Sequence, residues 1–246
     1  MDKRRKKSGG GALTLAVVAL MVIIVILGLS VFFKVTVINV EGAQTYTAEE
    51  VIAASGIHYE DSTVFLNESA AAVKIKNVLS YVDEVRIIRK LPSTVTIEIS
   101  EAVPVAAVES SGAWWIIDDK AKVLERTEDR SLASKYIELR GVEAVMPSVG
   151  SPISLGEGGT VRLGYLKNTL AGRRRAGING EVYWLDLTNL SNVHFSYKGI
   201  FTVTLGKGDD VQDKLWLFIK MLELYPEEIP ARFDVSEITV GHYIPE

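Results

Sequence analysis

The sequence predicts an α+β chain with an N-terminal transmembrane helix, a strand-helix-helix-strand-strand module (βααββ), and then a mainly β domain with a covering helix. Three observations carry this. An apolar run from 12 to 33 holds no ionisable side chain. About 70 residues follow in which hydrophobic periodicity switches from strand to helix and back. Beyond residue 104, short β-rich runs alternate with turn chemistry until a long amphipathic stretch intervenes at 211–225.

The first run, LTLAVVALMVIIVILGLSVFF, is long enough to cross a hydrocarbon core about 30 Å thick at 1.5 Å per residue. Lys3, Arg4, Arg5, Lys6 and Lys7 precede it, and Lys34 alone follows closely. That bias predicts a cytoplasmic tail over 1–11, a membrane helix over 12–33, and everything later outside the cytoplasm. Gly28 and Ser30 offer a small-x-small cleavage site. The run is too long for a signal-peptide core and continues through Val31, Phe32 and Phe33, so a retained anchor is expected.

Next, Val35, Val37, Ile38 and Val40 form a first strand that stops at Glu41-Gly42. Thr47 and Glu50 make a capping box and Gly56 a stop, predicting a helix over 48–55. Ala72, Ile75, Val78, Leu79 and Val82 recur at helical spacing, predicting a second helix over 68–81. Val85, Ile87, Val95, Ile97 and Ile99 alternate on either side of Lys90-Leu91-Pro92-Ser93, a hairpin turning near Pro92.

The second domain is expected to place strands at 114–117, 123–124, 136–139, 182–187, 193–197 and 201–205, a short helix near 161–170, and a last strand over 233–240. The helix at 211–225 should bury Val211, Leu215, Phe218, Ile219 and Leu222. Asp118-Asp119 and Asn179-Gly180 mark turns.

Composition removes several functions. Net charge is -4, and the tail holds five of the 27 basic residues but one of the 31 acidic ones, so the outer part is more acidic still. Nucleic acid, which demands a basic footprint, is excluded. The chain has no cysteine, hence no disulfide, thiolate metal site or cysteine nucleophile. His58, His194 and His242 show no ligand spacing, the G-x-S-x-G elbow is absent, and neither Gly156–Gly159 nor Gly206–Asp210 has phosphate-loop spacing. Hairpin turns explain those glycines. Asp118/Asp119, Asp209/Asp210 and Glu227/Glu228 read as solvated turn or helix-flank charge, and Arg173-Arg174-Arg175 as an exposed loop. Trp114 and Trp115, on consecutive strand positions, face opposite ways. No catalytic, cofactor-binding or metal residue is assigned.

The order of these parts resembles the FtsQ/DivIB family of bacterial cell-division proteins. VTVINVEGAQTYTAEEVIAASGI and KLPSTVTIEISEAVPVAAV look like the family's POTRA module, placed here at 34–103. LDLTNLSNVHFSYKGIFTVTLGKGDDVQDKLWLFIKMLELY with FDVSEITV looks like its β-rich domain, placed at 104–246. Glu101-Ala102 and Asp234-Val235-Ser236 depart from the family's usual arginine-bearing motifs. The resemblance implies a non-enzymatic scaffold at the division septum that holds small coiled-coil proteins of the FtsB/DivIC and FtsL type and helps control septal peptidoglycan synthesis by its synthase machinery. A chain ending in a strand at a sheet margin suits binding by strand addition. The candidate edge is Val235, Ser236, Glu237, Ile238, Thr239, Val240, Gly241, His242 and Tyr243. Two alternatives are a POTRA-bearing transport or secretion component, which should continue into a barrel that this length does not hold, and a tethered extracytoplasmic hydrolase, which lacks a catalytic constellation.

Overall fold

The computed structural model describes residues 10–156, 158–178 and 181–246. The basic tail at 3–7 and the Asn179-Gly180 turn lie outside the described residues. The chain divides into two compact units, the first ending at Glu101 and the second spanning Ala102–Glu246.

In the first unit, α1 (Gly10–Phe32) carries the apolar run. Its Thr14–Phe32 stretch has a mean hydropathy of 3.2, and none of its residues is buried. A helix this long and apolar fits a single-pass membrane anchor. Strand β1 (Val37–Glu41) follows, then α2 (Ala48–Ser55), α3 (Glu68–Val78), β2 (Val82–Lys90) and β3 (Thr94–Glu101). The sheet order is β1-β3-β2, with β1 parallel to β3 and β2 antiparallel to it.

Local chemistry sets these helix ends. The Thr47 N–H donates to Glu50 Oε2 at 2.8 Å while the Glu50 N–H donates to Thr47 Oγ1 at 3.2 Å, and Gly56 closes α2 in the left-handed region. Helix α3 stops at Val78, three residues short of the expected end, because Leu79 leaves helical geometry to seat its side chain in the core. Its inner stripe is Ala71, Ile75 and Leu79, while Val78 faces out. These close on Val35, Val51, Val82, Val95, Ile97 and Ile99.

The second unit is one nine-stranded sheet in the order β12-β11-β10-β9-β8-β7-β4-β5-β6. Its strands are β4 (Ala106–Ser110), β5 (Ala113–Ile117), β6 (Val123–Thr127), β7 (Ile137–Arg140), β8 (Val182–Asp186), β9 (Val193–Tyr197), β10 (Phe201–Gly206), β11 (Ala231–Asp234) and β12 (His242–Pro245). A short α4 (Arg130–Ala133) precedes β7. Two longer helices, α5 (Gly159–Arg175) and α6 (Val211–Leu224), join parallel pairs β7/β8 and β10/β11. They meet where Gly172 lets the α5 backbone approach Leu215, and both bury residues in the main core.

Several expectations are corrected here. Helix α5 runs on to Arg175, so Arg173, Arg174 and Arg175 form its last turn rather than a loop. Three cations there complement the carbonyl end of the helix dipole. Arg174 pairs with Asp119. Arg173 is half-buried, and that burial lowers its pKa against the opposing pull of Asp119. Asp118 is not solvated: it is buried and accepts the N–H groups of Lys120 and Lys122 at 2.9 and 2.7 Å. Gly158-Gly159 and Gly206–Asp210 lead into α5 and α6 rather than turning hairpins. Trp114 packs on the small cluster of Ala107, Ile116 and Ala133, and Trp115 on the main core, so both indoles are packing residues on opposite faces.

Candidate partner-binding edge

The C-terminal end of the sheet is built on α6. Of its predicted inner residues, Val211, Leu215 and Phe218 are fully buried, and Ile219 and Leu222 are partly so. Lys214 is buried too, its Nζ donating to Lys207 O and Asp209 Oδ1 at 2.9 Å each, which ties the β10–α6 link to the helix. Phe218 lies edge-on to Phe195, Tyr197 and Phe233 at 5.2 to 5.9 Å. This aromatic cluster is the platform for the last two strands.

The single strand expected at 233–240 is two strands with a crossing between them. Phe233 and Val235 both point into the core, as alternation requires, and the Val235 N–H still donates to Thr204 O at 2.9 Å. Asp234 Oδ1 then accepts the Ser236 N–H at 3.0 Å, a local turn that ends β11. Ser236 sits against Gly206, where a methyl group would collide with it, and Gly241 sits against Met221 in the same way. Between these two fixed points the chain is irregular. It re-enters the sheet as β12, antiparallel to β11, pairing Asp234 with His242, Phe233 with Tyr243, Arg232 with Ile244 and Ala231 with Pro245.

Of the nine residues expected to form an edge strand, only His242 and Tyr243 lie on β12. Val235 is core, and Ser236, Glu237, Ile238, Thr239, Val240 and Gly241 form the crossing. Ile244 and Pro245 complete the strand and were missed. The signal that separates the two strands is Gly241, whose role depends on α6 lying beside it.

Strand β12 pairs on one side only. Tyr243 fastens it by stacking on Tyr225, with centroids 4.1 Å apart and planes 13° from parallel, and by contacting Phe233 at 5.2 Å. The Glu246 N–H donates to Pro230 O at 3.0 Å, which fixes the phase of the ladder. Ile244 and His242 therefore bond towards β11, and the intervening residues point their polar backbone groups outward. Tyr243 presents both an N–H and a C=O; Pro245 presents a C=O alone. Around these groups Ile238, Val240 and Ile244 are about half exposed. Over 226–246 Arg232 is the lone Lys or Arg among Glu227, Glu228, Asp234, Glu237 and Glu246. The arrangement suits an extended, apolar segment with basic flanks.

His194, His58 and Tyr197 each have a local partner. His194 lies 3.8 Å from Asp186 and edge-on to Trp184, and His58 lies 3.7 Å from Asp61. The Tyr197 hydroxyl donates to Glu181 Oε2 at 2.5 Å, and burial together with that carboxylate raises its pKa. Among the described residues no group of three or more His, Asp or Glu side chains is placed to hold a metal ion.

With this geometry established, comparison with known proteins adds two findings. Residues 33–102 match the model of the FtsQ-type POTRA domain. The chain is 28% identical to the cell division protein DivIB of Clostridium tetani over 80% of its own length and 72% of that protein's. It is 25% identical to DivIB of Clostridium botulinum over 78% of its length and 73% of that protein's. It is 24% identical to the cell division protein FtsQ of Streptomyces griseus over 85% of its length and 96% of that protein's.

Proposed function

We propose that the chain is a cell-division protein of the FtsQ/DivIB type, a non-enzymatic, single-pass scaffold of the division machinery; the FtsQ-type POTRA match over 33–102 and the 28% and 25% identity to two DivIB proteins support this reading. On this reading 1–11 lies in the cytoplasm, 12–33 spans the membrane, and a POTRA domain at 34–103 and a β-rich domain at 104–246 lie outside, at the septum. Small coiled-coil membrane proteins of the FtsB/DivIC and FtsL type dock there. Through them the protein influences septal peptidoglycan synthesis without making bonds itself.

The observation that carries the docking site is the one-sided pairing of β12. A strand held by stacked tyrosines yet open on its outer side offers backbone groups to an incoming extended segment, and main-chain hydrogen bonds then supply affinity. The acidic surroundings favour a segment with basic flanks.

The test is co-purification of small coiled-coil membrane proteins from detergent extract. Deleting 242–246 removes β12 but leaves Val235 in the core, and Ile244→Lys keeps the strand while placing a charge where an added strand would lie. Both should lower recovery, the deletion to background, with the Ile244→Lys ectodomain melting like the parent. Recovery at parental levels from the deletion variant would sink the edge-strand reading.

A further inference from the structure

The first unit exposes apolar side chains that neither its core nor the partner reading uses. The loop after α2, residues 58–66, carries Tyr59, Val64 and Phe65, and the β2–β3 turn carries Leu91. Phe65 is 88% exposed and Leu91 62%. Such large apolar groups on one end of a small domain need a partner to cover them.

Backbone bonds fix where that end sits. The Thr63 N–H donates to Phe33 O at 2.9 Å, and the Thr63 hydroxyl lies 3.0 Å from Phe33 O and 2.6 Å from Pro92 O. The Val35 N–H donates to Asp61 O at 2.8 Å, the Glu60 N–H returns to Val35 O at 2.9 Å, and Lys34 bridges to Ser62. Loop, turn and the last residue of the apolar run are thus joined at one level. Phe65 and Val64, with Ser62, line a groove whose other wall is Ile26, Leu29, Ser30 and Phe33 of the helix end. Ile26 lies seven residues before Phe33, about 10 Å back along the helix at 1.5 Å per residue. The loop therefore overhangs the last two turns of the apolar helix instead of standing clear of it.

We propose that Phe65, Val64, Tyr59 and Leu91 form a second membrane contact, lying in the interfacial layer of the bilayer that α1 spans. The occupant is lipid because the patch is continuous with the lipid-facing surface of the helix. Tyrosine is favoured at the membrane–water interface, and Phe and Leu side chains bury into its acyl boundary. Lys34 pairs with Glu60, and Arg89, which donates to Thr63 O and Val64 O, pairs with Glu68, so the contact is apolar and does not depend on anionic headgroups. The inference rests on α1 being a membrane helix and is independent of what binds β12.

The chain has no cysteine, so single labels are simple to place. Full-length Phe65→Cys, Leu91→Cys, Ile23→Cys and Glu49→Cys variants, each carrying a small fluorophore, are reconstituted in phosphatidylcholine nanodiscs containing lipids with a nitroxide at a shallow or a deep acyl position. Glu49 starts α2 at the far end of β1 and reports the aqueous baseline. The expected result is several-fold stronger quenching by the shallow nitroxide at 65 and 91 than at 49, unchanged when anionic lipid is added, with Ile23 quenched by the deep one. Quenching at 65 and 91 no greater than at 49, with Ile23 still quenched, overturns the loop contact and leaves the anchor standing. Failure at Ile23 as well overturns both. A signal at 65 that appears only with anionic lipid overturns the apolar contact.

Discussion

Glu101 shows how one side chain can hold a junction. Its carboxylate accepts the N–H groups of Gln44 and Thr45 at 2.9 Å and the Thr45 hydroxyl at 2.6 Å, so the end of β3 clamps the start of the β1–α2 connection. Partial burial pushes its pKa upward, but the bonds from Thr45, Gln44 and Tyr46 outweigh it and hold the group below the usual glutamate range. A depressed folded-state pKa adds stability above the unfolded value, and that stability is lost as pH falls through the folded one. Glu101→Gln should therefore lower the melting temperature of the ectodomain at pH 7 and change it little near pH 3. Equal losses at both pH values would contradict the clamp. Reading at this scale succeeds where partners are close in sequence, as with Thr47 and Glu50. It fails for Glu101, whose partners lie more than 50 residues away, and for Arg173–Arg175, where three cations in a row resemble a solvated loop until α5 is seen to reach them.

At the scale of elements, β12 owes its place to the helix beneath it. Gly241 touches Met221 so closely that a single added carbon would collide with it. Gly241→Val should force the crossing off α6 and cost about 1–3 kcal/mol, the usual penalty for overpacking, measured by urea unfolding of the ectodomain. An unchanged midpoint would show that the crossing moves freely. The strand period holds only on each side of the crossing: Phe233 and Val235 alternate, and so do Ile238 and Val240, one residue out of phase with the first pair, and the contacts of Ser236 and Gly241 turn that slip into a break between two strands. Helix α6 itself was legible, since Val211, Leu215 and Phe218 recur at its own period. Helix α5 was half legible: its inner face mixes Tyr165, Leu166, Thr169, Leu170 and Gly172, too little apolar contrast to mark its full length.

For the whole molecule, the division into an apolar helix, a small βααββ unit and a larger sheet was written in the order of hydrophobic periods, because each folded unit buries its own core. The candidate edge was less legible. That β12 lies at a sheet margin depends on the nine-strand order, which no local pattern encodes. Pro245 has a further consequence for the β12 edge. An open, apolar edge invites a second copy of itself, and head-to-head pairing of two such edges would use the outward groups of Tyr243 and Pro245 alike. With no N–H at 245, a homotypic ladder lacks a donor from each copy, whereas a guest that brings its own donors and acceptors loses one bond only. Pro245→Thr restores the missing donor and should shift the purified ectodomain towards dimers in sedimentation velocity, while a monomer at every concentration would show that something else keeps the copies apart. On the proposed reading, one ring would separate a receptor for strands from a seed for aggregates.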